Sequence, residues 1–347
     1  MTTATELHVR RDSLATIAAA SRDLAPAPGQ ALFRVEHFAL TANNMTYAAH
    51  GVDMGYWNFF PAPEGFGIVP VWGFGQVVES RVDDLAAGQR FYGYWPMASH
   101  ALLTPGKTGP RGFVDLAAHR QGLAQVYNSY VPATLDVGDE RLQALLRPLY
   151  TTSYLLDLML AASPVETLIL TSASSKTALG LAQAAKNHKQ IVGLTSPSSK
   201  AFVESTGYYD RVVTYADATS LGTGTGTAAL VDFSGDGAVR RAVHTALGDR
   251  LLESHIVGDT HWDADNTNAL PGVAAQLFFA PTVLAGRIAE WGADGLATRL
   301  QAAWLTFIAS ANWLTVVEEA GADVAIRHWQ DFAAGRVDPA KGIILSI

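Results

Sequence analysis

The chain has no cysteine among its 347 residues. That one absence excludes disulfides, thiolate zinc sites, iron–sulfur clusters and cysteine nucleophiles. Charge is also scarce: 16% of residues are charged and the formal net charge is −8. No basic stripe offers itself to a phosphate backbone, so no nucleic-acid partner is expected. Long hydrophobic runs are missing as well, with nothing near the ~18 apolar residues of a bilayer-spanning helix. The opening MTTATELHVRRDS lacks the apolar core of a signal peptide. A cytoplasmic protein with no membrane partner is the expectation. What is abundant is apolar surface to bury, at 49% hydrophobic residues, and the length suits two domains better than one.

The chain is organised around Glu166–Lys186, ETLILTSASSKTALGLAQAAK. Leu168-Ile169-Leu170 reads as a short strand, and small polar residues follow it. Ala178, Leu181, Ala182 and Ala185 then recur at the i, i+3, i+4, i+7 spacing of one helical face. Strand, tight turn and helix make the opening unit of a nucleotide-binding α/β domain, in which turn N–H groups and the helix N-terminus receive a pyrophosphate. The glycines expected in such a turn are absent. Ser175-Lys176-Thr177 imitates the end of a P-loop, but both P-loop glycines are missing, which argues against a nucleotide hydrolase. Alternation continues beyond it. Residues 191–195, 211–215, 228–233 and 251–258 read as strands separated by helical segments, which implies βαβ units and a parallel sheet. LGTGTGT (221–227) reads as a surface connection, because no strand runs directly into it.

Earlier in the chain, residues 31–40 alternate as a half-buried strand does. Residues 40–60, LTANNMTYAAHGVDMGYWNFF, are loop-like with clustered aromatics, suited either to a small-molecule pocket or to an aromatic core loop. Segments 70–80, 85–95 and 112–126 read as strands with turns, and MASHALLTPGKTGPRG (97–112) as a surface loop. A mostly β, barrel-like first domain follows from this spacing. From about Leu270 the pattern turns helix-like, through LATRLQAAWLTFIASANWLTVVEEAG, and GIILSI (342–347) closes the chain as a strand.

The order of these pieces resembles the medium-chain dehydrogenase/reductase superfamily, in its quinone-oxidoreductase and enoyl-reductase branch. WGFGQVVES (72–80) is similar to that family's G-H-E-x-x-G-x-V strand, and LAAGQRFYG (85–93) to its V-G-D-R-V-x-G turn. RPLYTTSYLLDL (147–158) and GDTHW (258–262) resemble an uncharacterised branch, a domain of unknown function that implies no activity. The resemblance covers nearly the whole chain. It implies an α/β protein: a GroES-like, mostly β domain over 1–130, completed by about 285–347, and a Rossmann-type doubly wound parallel sheet over 131–284. Phe74-Gly75 stand where zinc-dependent relatives carry His-Glu, and without cysteine neither zinc site of the family can be completed. His50, His100 and His119 are read as structural.

Against the family's glycine-rich turn, Ser172, Ser175 and Ala178 occupy the three glycine positions, with Ser174, Lys176 and Thr177 adding hydroxyls and charge. Close approach to phosphate survives there if no positive φ is needed. Sites that prefer NAD place an acid at the end of the second strand. This chain has Thr195-Ser196-Pro197-Ser198-Ser199-Lys200, whose Ser196, Ser199 and Lys200 suit a 2′-phosphate instead. NADP-dependent quinone oxidoreductases carry a similar lysine and a tyrosine, matched here by Lys200 and Tyr215. The expected cofactor is NADP(H). Asp232, Gly258, Thr260 and His261 fall at strand ends beside the nicotinamide, where Trp262 is a further pocket candidate. Tyr56, and more loosely Tyr47, match the tyrosine that enoyl reductases carry close to substrate, and Asn43 and Asn44 fall in the family's N-P-x-D turn, to bond substrate or shape the loop. His50 and His261 are alternative proton sources. The resemblance thus implies a zinc-independent, NADPH-dependent reductase of a quinone, enal, enone or enoyl thioester, with a homodimer as family habit. The alternative is a protein that binds NADP(H) as a sensor without catalysis.

Overall fold

The computed structural model of the protein describes residues 1–258 and 270–347. The chain divides into two compact units, Met1–Leu145 with Thr315–Ile347, and Leu146–Leu314.

The first unit opens on an antiparallel hairpin, β1 (Thr2–Arg10) and β2 (Ser13–Leu24), followed by β3 (Ala31–Leu40). A helix, α1 (Ala42–Ala49), comes next, where composition alone suggested loop. Its first turn explains the difference: the amide of Thr41 donates to Asn44 Oδ1 at 2.8 Å, so an asparagine taken for a loop residue serves as a cap. After β4 (Phe66–Gly67), the long strands β5 (Pro70–Ser80) and β6 (Arg90–Pro96) pair antiparallel. The proline- and glycine-rich stretch expected as loop instead forms β7 (His100–Leu103) and β8 (Pro105–Gly109), before β9 (Gly112–Asp115) and β10 (Ser129–Pro132). Pro105 tolerates its place because it is the first residue of a strand.

Helix α2 (Glu140–Leu160) leads into the second unit. There β11 (Thr167–Leu170), α3 (Lys176–Ala185), β12 (Gln190–Thr195), α4 (Lys200–Ser205), β13 (Arg211–Thr214), β14 (Ala228–Asp232), α5 (Gly237–Leu247), β15 (Leu251–Ile256) and β16 (Gln276–Leu277) follow one another. The six strands are all parallel, in the order β13-β12-β11-β14-β15-β16. This is the doubly wound order, with its reversal between β11 and β14. Strands buried on both faces must be apolar throughout, as Leu168, Ile169 and Leu170 in β11 and Ala229, Leu230 and Val231 in β14 are. Helix α6 (Ala280–Ser310) breaks at Gly292, which has φ 71°. Tyr150 of α2 stacks on Phe307 of α6, ring centroids 4.5 Å apart.

The chain then rejoins the first unit as β17 (Thr315–Ala320), α7 (Ala322–Ala333) and β18 (Lys341–Ser346). Residues 315–320 continued a helix-like reading, yet TVVEEA pairs in parallel with β18 as a strand. Its β-branched pair Val316-Val317 favours that outcome once a partner is present. The large sheet of this unit runs β17-β18-β3-β5-β6-β10-β9-β8, with β7 also on β3. Trp329 of α7 is fully buried and its indole N–H donates to Leu14 O at 2.6 Å, tying α7 to the hairpin. Among the described residues no helix is long and apolar enough to cross a membrane.

Two glycines on these strands make a test pair. A Cβ on Gly73 would lie 2.2 Å from the backbone oxygen of His37, whereas one on Gly109 would meet nothing within 4 Å. Gly73→Ala is expected to lower unfolding free energy by about 1–3 kcal/mol, and Gly109→Ala to stay within about 0.5 kcal/mol of the parent, in denaturant titrations.

Candidate functional site

In the first unit, the three residues singled out before β5 come together. Asn43 and Tyr47 share one face of α1, four residues apart, and Tyr56 starts the short 3₁₀ turn Tyr56–Asn58. The turn is held from below by the buried Arg120, whose Nε donates to Phe59 O at 3.2 Å and whose Nη1 donates to Tyr130 Oη at 3.1 Å. The rings of Tyr47 and Tyr56 are 4.6 Å apart. Around them stand residues that the sequence did not single out: Tyr94, Tyr127 and Trp72. Tyr94 pairs with Trp72 in the β5–β6 register, and the two rings lie 5.0 Å apart. That cross-strand pairing was the missed signal, since it becomes visible only once the register is known.

The hydroxyl of Tyr47 has the most specific surroundings. Asn43 Nδ2 donates to Tyr47 Oη at 2.6 Å, and Trp72 Nε1 donates to the same oxygen at 3.2 Å. With both lone pairs accepting, the Tyr47 hydroxyl can itself only donate, and the hydroxyl of Tyr94 is also within its reach. Tyr94 Oη is buried without a well-formed hydrogen bond. Burial pushes the phenols of Tyr47, Tyr56, Tyr94 and Tyr127 above the ordinary tyrosine value, by desolvation of the phenolate. All four are therefore neutral donors at physiological pH. Asn43, Trp72 and Tyr127 are half-buried and rim the more deeply buried Tyr47 and Tyr56.

A Cβ on Gly75 would lie 2.8 Å from the indole of Trp95, so any side chain at that position would displace the ring. Among the described residues no cluster of three His, Asp or Glu side chains is placed to hold a metal. A separate cavity of about 310 Å³ in this unit is lined by Glu6, Arg22, Phe60, His100, His119 and Arg120 among others. Asn43, Tyr47 and Tyr56 are not part of its wall.

In the second unit, Ser172, Ser174 and Ser175 form the turn between β11 and α3, and Lys176 and Thr177 are the first two residues of that helix. Ser175 is its N-cap and accepts from Ala178 N at 3.3 Å. Ser172 has φ +48°. A positive φ is thus required, contrary to the condition under which serine replaces glycine freely. The amide of Ser172 donates to Tyr215 Oη at 3.0 Å, and burial pushes that phenol up to about 12. Thr195 ends β12 and is buried. Ser196 and Ser199 shape the following turn, where Ser199 N donates to Ser196 Oγ at 3.3 Å. Lys200 starts α4 and lies 3.9 Å from Glu204 one turn on.

Asp232 ends β14, but its carboxylate faces inward. Oδ1 accepts from Thr171 Oγ1 at 2.5 Å, from Ser234 N at 3.0 Å and from Ser234 Oγ at 2.7 Å. Oδ2 accepts from Arg240 Nε of α5 at 2.8 Å, in an ion pair with side-chain exposures of 0% and 4%. Asp232 binds its own chain, across the reversal point of the sheet. Gly258 follows β15 with φ +62°. Thr260, His261 and Trp262 lie outside the described residues.

A family model described as "Protein of unknown function (DUF2855)" matches residues 38–338. No curated protein matches the chain in sequence. Among solved structures, a mutant enoyl thioester reductase from Candida tropicalis is similar over 100% of both chains, with 11% identity and a TM-score of 0.60. The complex of Etr1p with NADP and crotonyl-CoA is similar over 100% of both chains, with 12% identity and a TM-score of 0.63. A mycobacterial protein complexed with NADPH shares 15% identity over 99% of this chain and 100% of its own, with a TM-score of 0.59. The chain has the medium-chain dehydrogenase/reductase fold: a mostly β first unit and a Rossmann-type parallel sheet.

The buried phenols have a consequence for alkaline stability. Their folded values lie above about 10, the unfolded tyrosine value, so their contribution is complete below that pH and is lost as pH rises from there through the folded values. In a spectrophotometric titration, tyrosine ionisation beyond the exposed residues is expected to coincide with unfolding above about pH 10. Smooth ionisation of every tyrosine in a folded protein would contradict the burial of this cluster.

Proposed function

The chain belongs to the family described as a protein of unknown function, DUF2855, and for it we propose a zinc-independent reductase that uses NADP(H) to reduce a carbonyl or an activated C=C bond. The observation that carries this reading is the loop after β12, where Ser196, Ser199 and Lys200 replace the acid of an NAD site. A carboxylate there would repel a 2′-phosphate, whereas hydroxyls and an ammonium bond it. Solved structures of the same fold in complex with NADP and NADPH support the reading.

A dinucleotide fits the residues present. Ser172 at φ +48° already gives the turn the shape a glycine would give it. The turn leads directly into the N-terminus of α3, an end that favours a pyrophosphate. Lys176 and Thr177 add an ammonium and a hydroxyl at the same end. When bound, the cofactor supplies a hydride. The chain's part is then to hold the acceptor and give a proton. Tyr47 holds that proton at Oη, and the N–H groups of Asn43 and Trp72 stabilise the negative charge left behind when it goes. Tyr56, 4.6 Å away ring to ring, shapes the same aromatic surface for a flat, conjugated acceptor.

Two measurements test this. NADPH is expected to raise the melting temperature more than NADH does, and Lys200→Ala to remove the difference; equal effects of the two nucleotides on the parent protein would contradict the assignment. With a quinone, enal or enoyl thioester that is turned over, Tyr47→Phe is expected to lower kcat by about 10²–10⁴-fold, with NADPH affinity unchanged. Full turnover without that hydroxyl would remove Tyr47 as the acid, and binding of NADPH with no turnover of any acceptor would favour the sensor.

A further inference from the structure

Ser172 holds a left-handed turn without glycine's freedom, at φ +48°. Two tyrosine hydroxyls grip consecutive residues of that turn. Tyr215 Oη accepts from the amide of Ser172 at 3.0 Å, and Tyr209 Oη donates to the carbonyl of Ala173 at 2.7 Å. The amide of Ala173 donates to Leu194 O of β12 at 3.0 Å, so the turn is also fixed to its neighbouring strand. Both tyrosines flank β13, one before it and one after it. Room for Tyr209 comes from Gly193 in β12. A Cβ there would lie 2.8 Å from Tyr209 Cδ1 and 2.9 Å from Ala173 Cβ. A glycine absent from the turn is present one strand away, where the bracing tyrosine needs it.

We propose that Tyr209 and Tyr215 are positioning residues for the phosphate turn, holding Ser172 left-handed so that the turn and the start of α3 meet a dinucleotide pyrophosphate as a glycine turn would. The ligand in this inference rests on the NADP(H) reading above; the brace itself does not. Tyr215 acts through Ser172, and its effect on the nucleotide is therefore conditional on the residue at that position.

A double-mutant cycle reads that condition. NADPH affinity, by fluorescence titration, and melting temperature are measured for the parent, Tyr215→Phe, Ser172→Gly and the double variant. Tyr215→Phe in the parent background is expected to weaken NADPH by about tenfold, the size of one lost hydrogen bond. With glycine at position 172 the same substitution is expected to cost less than about threefold, because glycine takes a positive φ unaided. A tyrosine that only packed, or that touched the nucleotide itself, would cost the same in both backgrounds, and that result overturns the proposal. So does a Tyr215→Phe protein that binds NADPH as the parent does. Should Tyr215→Phe fail to fold, Tyr209→Phe takes its place in the cycle with the same expectation. Should the parent bind no NADPH, the nucleotide reading fails by itself. The brace is then judged on melting temperature: a loss confined to the serine background sustains it, and an equal loss in both backgrounds overturns it.

Discussion

The hydrogen bond from Thr171 Oγ1 to Asp232 Oδ1, at 2.5 Å, joins the ends of β11 and β14 at the point where the sheet reverses. Everything proposed for the second unit depends on those two strand ends being fixed. The bond is buried, and its carboxylate is compensated by Arg240 from α5. A buried carboxylate without such partners would be costly enough to protonate or to admit water. Here Thr171 Oγ1 also accepts from the amides of Phe233 and Ser234, at 2.9 and 3.1 Å. The threonine that precedes the turn is thus bonded to the loop leaving the opposite strand. The turn at Ser172 starts from a rigid origin.

The first unit solves a different problem with aromatic rings. Three buried phenols, a half-buried fourth and a half-buried indole cannot all find water, so their polar atoms must find each other or stay unpaired. Tyr47 collects two N–H donors, whereas Tyr94 Oη lacks a well-formed bond. The difference makes Tyr47 the chemically distinctive phenol of the cluster. Desolvation and the two donors act in opposite directions on it, and desolvation is the larger effect. A neutral hydroxyl whose departing charge is already supported is what a proton donor requires.

Much of this fold could be read in the chain before its structure. Leu168-Ile169-Leu170 and the Ala178–Ala185 periodicity mark a strand and helix with little ambiguity, because both are set by burial alone. The elements that escaped were those decided by a partner elsewhere. TVVEEA became a strand only because β18 was there to pair with it. Residues 42–49 became a helix because Asn44 capped it, and the same asparagine is equally at home in a loop. The β1–β2 hairpin went unnoticed because β2 is largely exposed, and its buried residues, Leu14, Ile17 and Leu24, are spaced too irregularly to show a period of two.

The candidate site was legible to the same extent. Asn43, Tyr47 and Tyr56 could be named because the family resemblance placed them in one short stretch, whereas Trp72 and Tyr94 depended on strand register. The serines of the phosphate turn could be matched to glycine positions, but the positive φ of Ser172 and the hydrogen bond from its amide to Tyr215 are three-dimensional facts. Asp232 was named for its place at a strand end. Only coordinates show its oxygens turned inward to Thr171 and Arg240.

On the proposed reading, the serine turn carries a dinucleotide whose extra phosphate lies in the loop after β12. A crystal structure of the chain grown with saturating NADPH tests it most directly. The account predicts pyrophosphate density against Ser172–Thr177 and the 2′-phosphate within hydrogen-bonding distance of Ser196, Ser199 and Lys200. A nucleotide bound elsewhere, or crystals whose turn remains empty at saturation, would contradict it.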